Sequence, residues 1–279
     1  MKKYIILLIA VVVTMVQFGC TSCNTCKSQK GKRNIAVQIY SFRKSTMEDA
    51  MKAVKAMGVN LIEASPEVYI GGKFPKTKMN LKMSDEAKAY LKKLLADNGM
   101  KFTGFGVINT KTEAEVEAYC KLAKDFDIKY ILTEDPVRQF QYWQKYGEKY
   151  GVTMVVHHHA NNSVNQYWNP AVMRMFVSQY SNVMANPDIG HWSRSNIQPH
   201  KALKILQGEI GSMHVKDERV FGAPDRDPVP MGQGGIDLKA VLAELDRQGY
   251  TGYLVVEHET DWDDPAPSIA KSVKFLQNN

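Results

Sequence analysis

Thr153-Met-Val-Val-His-His-His-Ala-Asn-Asn162 decides the reading of this chain, because an apolar run passes directly into three histidines. Met154 to Val156 is too short and too β-branched for a helix, Gly151 breaks the chain before it, and Asn161-Asn162 opens a loop after it. The stretch therefore reads as a strand whose end carries metal-binding and proton-transfer groups. Alternation sends His157 and His159 to one side and His158 to the other. Alone, three histidines fit a solvated loop or a metal clip without chemistry just as well, so the rest of the chain must decide.

Outward from this strand the chain alternates strand and helix. Upstream, strands are expected at Ile35–Tyr40, Asn60–Ala64, Phe102–Val107 and Tyr130–Leu132. The helices between them are marked by Ser45-x-x-Glu48 and Thr112-x-x-Glu115 capping boxes, by Gly58 and Gly99 as stops, and by a stretch from Asp135-Pro136 to Tyr150. Downstream, Asn169-Pro170 opens a helix, Val183–Asp188 and Gly211–Val215 are strands, and Lys201–Leu206 is a short helix. A helix from Ile236-Asp237 to Gln248 leads to the last strand, Tyr253–Glu257, and a final helix lies near Ser268–Gln277. The loop from Ser65 to Met83, with Gly71-Gly72 and several lysines, is long enough to be a lid or binding loop. Eight strands and eight helices in βα order make an α/β protein, a single (β/α)₈ TIM barrel over residues 34–279, with its active site at the strand ends.

The chain starts with an address rather than with fold. Lys2-Lys3, an apolar run from Tyr4 to Val16 and Gly19-Cys20 form the parts of an export signal, so residues 1–19 are expected to be removed and 20–33 to be a tether. Gly19-Cys20 resembles the lipobox of a bacterial lipoprotein, which implies lipidation at Cys20 and a periplasmic or membrane-anchored protein that meets the membrane only through that lipid. Cys20, Cys23 and Cys26 are too few for an iron–sulfur cluster, and Cys23 and Cys26 are left as a candidate disulfide in an oxidising compartment. Cys120 sits in an amphipathic pattern with Val116, Tyr119 and Ala123 and belongs to the core. Net charge is +7, falls to +5 without Lys2 and Lys3, and is dispersed, which argues against a nucleic-acid partner. A homo-oligomer stays open.

The strand ends carry the chemistry. Glu63 ends the second strand, the histidines the fifth, Asp188 with His191 the sixth, His214 with Lys216-Asp217 the seventh, and Glu257 with Glu259 the eighth. So many acids and imidazoles at one barrel mouth repel one another unless a divalent cation joins them. Two carboxylates and two imidazoles suit Mn²⁺, Co²⁺, Zn²⁺ or Fe²⁺ better than Ca²⁺.

With Gln38-Ile-Tyr-Ser-Phe-Arg43, Asp188-Ile-Gly-His191, His214-Val-Lys-Asp217, Pro230-Met-Gly-Gln-Gly234 and Val255-Val-Glu257, the chain resembles the xylose-isomerase-like barrels. That group includes sugar phosphate isomerases, keto-sugar epimerases and inosose dehydratase. The resemblance implies a metal on Asp188, His214 and Glu257, with His157 standing where the group has a glutamate on strand five. The histidine run and His-x-Lys-Asp-x-Arg after strand seven are nearest to inosose dehydratase, which removes water beside a ring ketone.

What the resemblance implies for function is removal of a proton α to a sugar carbonyl, followed by β-elimination. Some exported relatives act in this way on 3-keto-glycosides. His158 or His159 is the expected base, with Glu63 or Glu259 in reserve, because an imidazole can take the α-proton and hand it to a departing oxygen. Lys216 and Arg219 are expected to orient the keto-sugar, and His191 and Glu259 to touch it. Trp168, Trp192 and Trp262 near strand ends are candidates to stack on sugar rings, against ordinary core packing. A keto-sugar isomerase or epimerase is the alternative, and a sugar-binding lipoprotein without catalysis the second alternative.

Overall fold

Asn34–Gln38 (β1) pairs in parallel with Leu61–Ala64 (β2) on one side and with Tyr253–Val256 (β8) on the other, so the first and last strands are neighbours. That arrangement is what a closed barrel requires. In the computed structural model, which describes residues 33–162 and 166–279, the ring continues through Lys101–Ile108 (β3), Tyr130–Thr133 (β4), Thr153–Val156 (β5), Val183–Ala185 (β6) and Ser212–Val215 (β7). Between β6 and β7 it closes by single parallel bridges, Ala185 to Ile210 and Asp188 to His214. The (β/α)₈ expectation is met. The export signal, the tether and Cys20, Cys23 and Cys26 lie outside the described residues.

Helices α1 (Met47–Ala56), α2 (Asp85–Asn98), α3 (Glu113–Asp125), α4 (Phe140–Tyr150), α5 (Pro170–Val177), α6 (Ile189–Arg194), α7 (Pro199–Ile205), α8 (Leu238–Gln248) and α9 (Ala266–Asn278) follow the strands. The Thr112–Glu115 capping box is present in both directions, with Thr112 accepting from Glu115 N and Glu115 accepting from Thr112 N. At α1 the cap is one residue later than expected: Thr46, not Ser45, accepts from Asp49 N. The 65–83 loop holds an antiparallel hairpin, Tyr69–Gly71 with Phe74–Lys78. The expected strand through Asp188 stops at Ala185, because the Asp188 carboxylate caps α6 by accepting from Gly190 N and His191 N.

Strand alternation sorts the core into two layers. Tyr130, Leu132 and Val155 pack together inside the ring with Val107, Met184 and Tyr253, while Met154 and Val156 join the larger cluster beneath the helices. Two residues on from Val155 in the same register is His157, and two on from Val156 is His158. One set faces the barrel axis and the other the helices. Cys120 is fully buried in the outer layer, and burial pushes its thiol up to about 12.

Candidate functional site

His214, on the inward register of β7, stands among three carboxylates. Its Nε2–H donates to Glu63 Oε1 at 2.6 Å, and its Nδ1 lies 3.0 Å from Glu257 Oε2 and 3.7 Å from Asp188 Oδ2. Glu63 is held in turn by Gln38 Nε2 at 2.5 Å and by the Tyr130 hydroxyl at 2.7 Å. Gly104 gives that tyrosine its space, since a Cβ there would sit 2.0 Å from a Tyr130 ring carbon. Burial opposes charge on His214, but Glu63 and Glu257 outweigh it and hold the imidazole well above its ordinary range. Glu63, named from sequence as a reserve base, therefore faces His214 from the barrel interior and does not line the cavity.

Asp188 uses one oxygen to cap α6 and keeps the other for the barrel axis. Oδ1 accepts from Gly190 N and His191 N at 3.0 Å each, while buried Oδ2 accepts no backbone hydrogen bond and has the Lys216 ammonium 3.0 Å away. His214 Nδ1 is likewise buried without a hydrogen-bond partner. His157 donates from Nδ1 to Asn186 Oδ1 at 2.9 Å, and Asn186 donates onward to Ser212 Oγ at 2.7 Å, which leaves His157 Nε2 free as a ligand. One ligand atom each from His157, Asp188 and His214 falls within 4.8 Å of the other two. A buried carboxylate oxygen and imidazole nitrogen outside the hydrogen-bond network, a second imidazole with its other nitrogen fixed, and Glu63 behind His214 fit a divalent cation with N/O preference.

Glu257, expected as the fourth ligand, reaches this trio through its Oε2, 3.0 Å from His214 Nδ1, and is shared with Lys216. Lys216 Nζ lies 2.7 Å from Glu257 Oε2, 3.0 Å from Glu259 Oε2 and 3.0 Å from Asp188 Oδ2. Its stem reaches them by crossing Gly190, where a Cβ would come 2.4 Å from Lys216 Cγ. Burial works against each of these charges, yet Lys216 and His214 hold Glu257 well below the usual carboxylate range, and the carboxylates hold Lys216 well above the usual amine range. Lys216, expected to orient substrate, is instead fully buried beneath the cavity and neutralises its floor.

Above the floor lies a cavity of about 430 Å³, lined among others by Gln38, Tyr40, Glu67, His157, His159, His191, Arg194, Arg226, Glu257 and Glu259. His159 lines it as expected. Its Nδ1–H donates to Glu134 Oε1 at 2.5 Å, and that hydrogen bond raises its pKa. His158 does not line it: Nδ1–H donates to the His159 carbonyl at 3.1 Å, Nε2 accepts from Asp188 N at 3.0 Å, and its ring stacks on Trp192 at 5.2 Å. The outward register explains this, and burial takes its pKa down to about 3. Trp192, offered as a platform for sugar, is core packing under His158.

His191 lines the cavity, with its Nδ1 accepting from the Arg194 guanidinium. That leaves the neutral ring with its proton on Nε2, as a donor rather than a ligand. Glu259 also lines the cavity, bound by Lys216 and by Arg226 at 2.9 Å. Arg219, expected on substrate, is exposed and pairs with Asp227 at 2.6 Å outside the cavity. Arg226, from the same excursion, takes its place on the wall. Asp217 shapes that excursion from below by accepting from the amides of Gly232, Gly234 and Ile236.

Sequence reasoning missed Glu134, Asn186, Arg194 and Arg226. Glu134 directly follows β4, so the end residue of strand four is the signal in the sequence that points to it.

Residues 51–279 match the xylose isomerase-like TIM barrel, and the chain belongs to that family. Inosose dehydratase of Clostridium perfringens is 27% identical over 168 residues, 54% of each chain. The rhizopine catabolism protein MocC of Rhizobium meliloti is 25% identical over 177 residues, 52% of each. The chain thus spans about half the length of the curated relatives it matches. Among solved structures, an uncharacterized protein from Parabacteroides distasonis superposes with a TM-score of 0.71 at 25% identity, covering 88% of this chain and 99% of the other. The IolI protein with a bound zinc atom gives 0.68 at 18% identity (87% and 96%), and 3-keto-D-glucoside 4-epimerase YcjR of E. coli 0.66 at 16% (89% and 100%). At those identities the last two establish a common fold.

Proposed function

We propose that this chain is a metal-dependent carbon–oxygen lyase that removes the proton α to a sugar carbonyl and eliminates the group β to it, acting on 3-keto-glycosides. The observation that carries the reading is an asymmetry across the cavity. On one wall the His159–Glu134 pair offers an imidazole oriented by a carboxylate. On the other, Glu257 and Glu259 are both engaged by Lys216, so neither is free to act as a second, opposing base. One free proton-transfer group suits elimination, in which the proton taken from C2 leaves on the departing oxygen.

His159 abstracts the C2 proton, the C2–H electrons form the C1–C2 double bond, the C1–O bond breaks, and the proton passes to the released alcohol. Glu134 keeps the ring aimed and stabilises its protonated form. His191 Nε2–H, held in that tautomer by Arg194, donates to a substrate oxygen from the adjoining wall. When bound, a divalent cation on His157, Asp188 and His214 supplies Lewis acidity at the carbonyl oxygen. The similarity to inosose dehydratase supports elimination beside a ketone, and the fold shared with a 3-keto-D-glucoside epimerase supports the substrate class. Keto-sugar isomerisation or epimerisation is the second reading, favoured by Glu257 lining the same cavity as His159.

Metal-loaded protein is incubated with 3-keto-glucosides and with the parent glucosides, and products are followed by mass spectrometry. Released alcohol and an unsaturated keto-sugar from the keto forms alone are expected. Deuterium uptake from solvent without release of a fragment would establish the second reading, and neither change would mean a binding protein. Export through residues 1–19 with a lipid on Cys20 belongs to the same proposal; unchanged membrane association of Cys20→Ser would remove the anchor.

A further inference from the structure

The cavity does not end at the barrel mouth. Tyr40 and Glu67 line it and also line a second groove of about 340 Å³, whose other walls are Arg43, Lys44, Tyr69 and Lys78. This groove is built from an inserted element, the hairpin of Tyr69–Gly71 and Phe74–Lys78, which a bridge from Thr46 to Tyr69 ties to the start of α1.

Its charges are largely engaged within the protein. Lys78 lies 3.4 Å from Glu67 and 5.0 Å from the centre of the Tyr69 ring, and Lys44 lies 2.7 Å from Asp263. The Arg43 guanidinium sits 3.7 Å from the centre of a Trp262 ring and donates to the Tyr40 hydroxyl at 2.9 Å. What remains open is aromatic surface. Tyr69 is 44% exposed, and Tyr40 stands at the junction of the two spaces. An aromatic ring edged by hydrogen-bonding groups offers an apolar surface to the C–H face of a sugar ring and partners for its hydroxyls.

We propose that this groove is a second sugar subsite, which receives the alcohol half of the glycoside as a pyranose ring on Tyr69 while the keto-sugar occupies the cavity. The proposal rests on the lyase reading for which half is which. It implies that disaccharides, rather than simple alkyl glycosides, are the preferred substrates, because only they fill both spaces.

The test uses the full chain and Tyr69→Ala, with Tyr69→Phe as the variant that keeps the ring. For 3-keto-cellobiose, Tyr69→Ala is expected to raise KM by about three- to tenfold. For methyl 3-keto-glucoside, whose methanol cannot reach the groove, no change is expected, and Tyr69→Phe should behave as the wild type with both. An equal effect on the two substrates, or none on either, overturns the subsite. Saturation-transfer NMR with unoxidised cellobiose gives a readout without turnover: contacts to both rings are expected in the wild type, with those to one ring lost in Tyr69→Ala. If no keto-glycoside turns over but this NMR pattern holds, the lyase reading fails and the subsite stands. If Tyr69→Ala leaves the NMR pattern unchanged, the subsite fails whatever the turnover.

Discussion

Glu63 Oε1 and His214 Nε2 are 2.6 Å apart at the floor of the barrel mouth, and this contact fixes which nitrogen of His214 faces Asp188 and His157. A carboxylate that orients a ligating imidazole typically contributes about 10- to 100-fold in metal affinity. Glu63→Gln should accordingly lower affinity for Mn²⁺ or Zn²⁺ by that factor and leave the fold intact, since Tyr130 and Gln38 can still hydrogen-bond the amide. Titration with a competing chelator, beside circular dichroism, checks both parts. Unchanged affinity would mean that His214 is not a ligand.

Asp188 has two separate tasks, and they predict two separate losses. Asp188→Asn keeps an oxygen for the α6 cap but removes the charge at the buried second oxygen, so it should fold and lose metal. Asp188→Ala should also lose the cap, at a cost of about 0.5–2 kcal/mol. Metal content by elemental analysis, alongside urea unfolding, separates the two effects. Retention of metal by both variants would exclude Asp188 as a ligand.

Alternation along β5 was enough to divide the three histidines between the barrel axis and the helices, and βα rhythm was enough for the fold. Both are local properties of the chain. The pairing of Lys216 with Glu257 was not legible, because it depends on β7 and β8 lying side by side with Val215 opposite Val256. Arg194 was hidden for a different reason. It reaches the cavity only because Asp188 starts a helix of six residues, too short to announce itself by periodicity. Arg219 misled because its spacing after His214 says nothing of the turn that carries Arg226 inward instead.

His158 should govern stability rather than turnover. Its Nε2 accepts the Asp188 amide, so His158→Ala leaves a buried donor unsatisfied, at about 1–3 kcal/mol before any cavity cost, while His158→Gln can supply an acceptor. Folding lowers its pKa from 6.5 to about 3, so between those values the unfolded chain binds the extra proton. Its contribution to stability is complete above the upper value and is lost as pH falls toward the lower one. Urea midpoints measured across that range should flatten in His158→Gln relative to the wild type. An unaltered slope would contradict the buried neutral ring.

His159 should govern turnover, and Glu134 its pH dependence. Loss of the base in His159→Ala should cut kcat by about 10²–10⁴-fold with metal still bound. Glu134 raises the pKa of His159 by stabilising the protonated ring. A base must be unprotonated to act, so the acidic limb of the rate profile should move to lower pH in Glu134→Gln. A shift to higher pH, or none, would exclude His159 as the group being titrated.

Arg194 and His191 should behave as one unit. The guanidinium donates to His191 Nδ1, and its remaining charge partners, Glu218 at 3.7 Å and Glu259 at 3.8 Å, are too distant for hydrogen bonds. Its position is therefore spent chiefly on holding His191 as an Nε2–H donor beside the cavity. Lysine keeps the charge but not the planar fork, so Arg194→Lys should reduce kcat/KM by about tenfold without loss of metal. His191→Ala removes the donor that Arg194 serves, and in that background Arg194→Lys should cost much less. A double-mutant cycle measures the difference, with metal content as the control. Additive losses would mean that Arg194 contacts the substrate independently and that the His191 tautomer is set by something else.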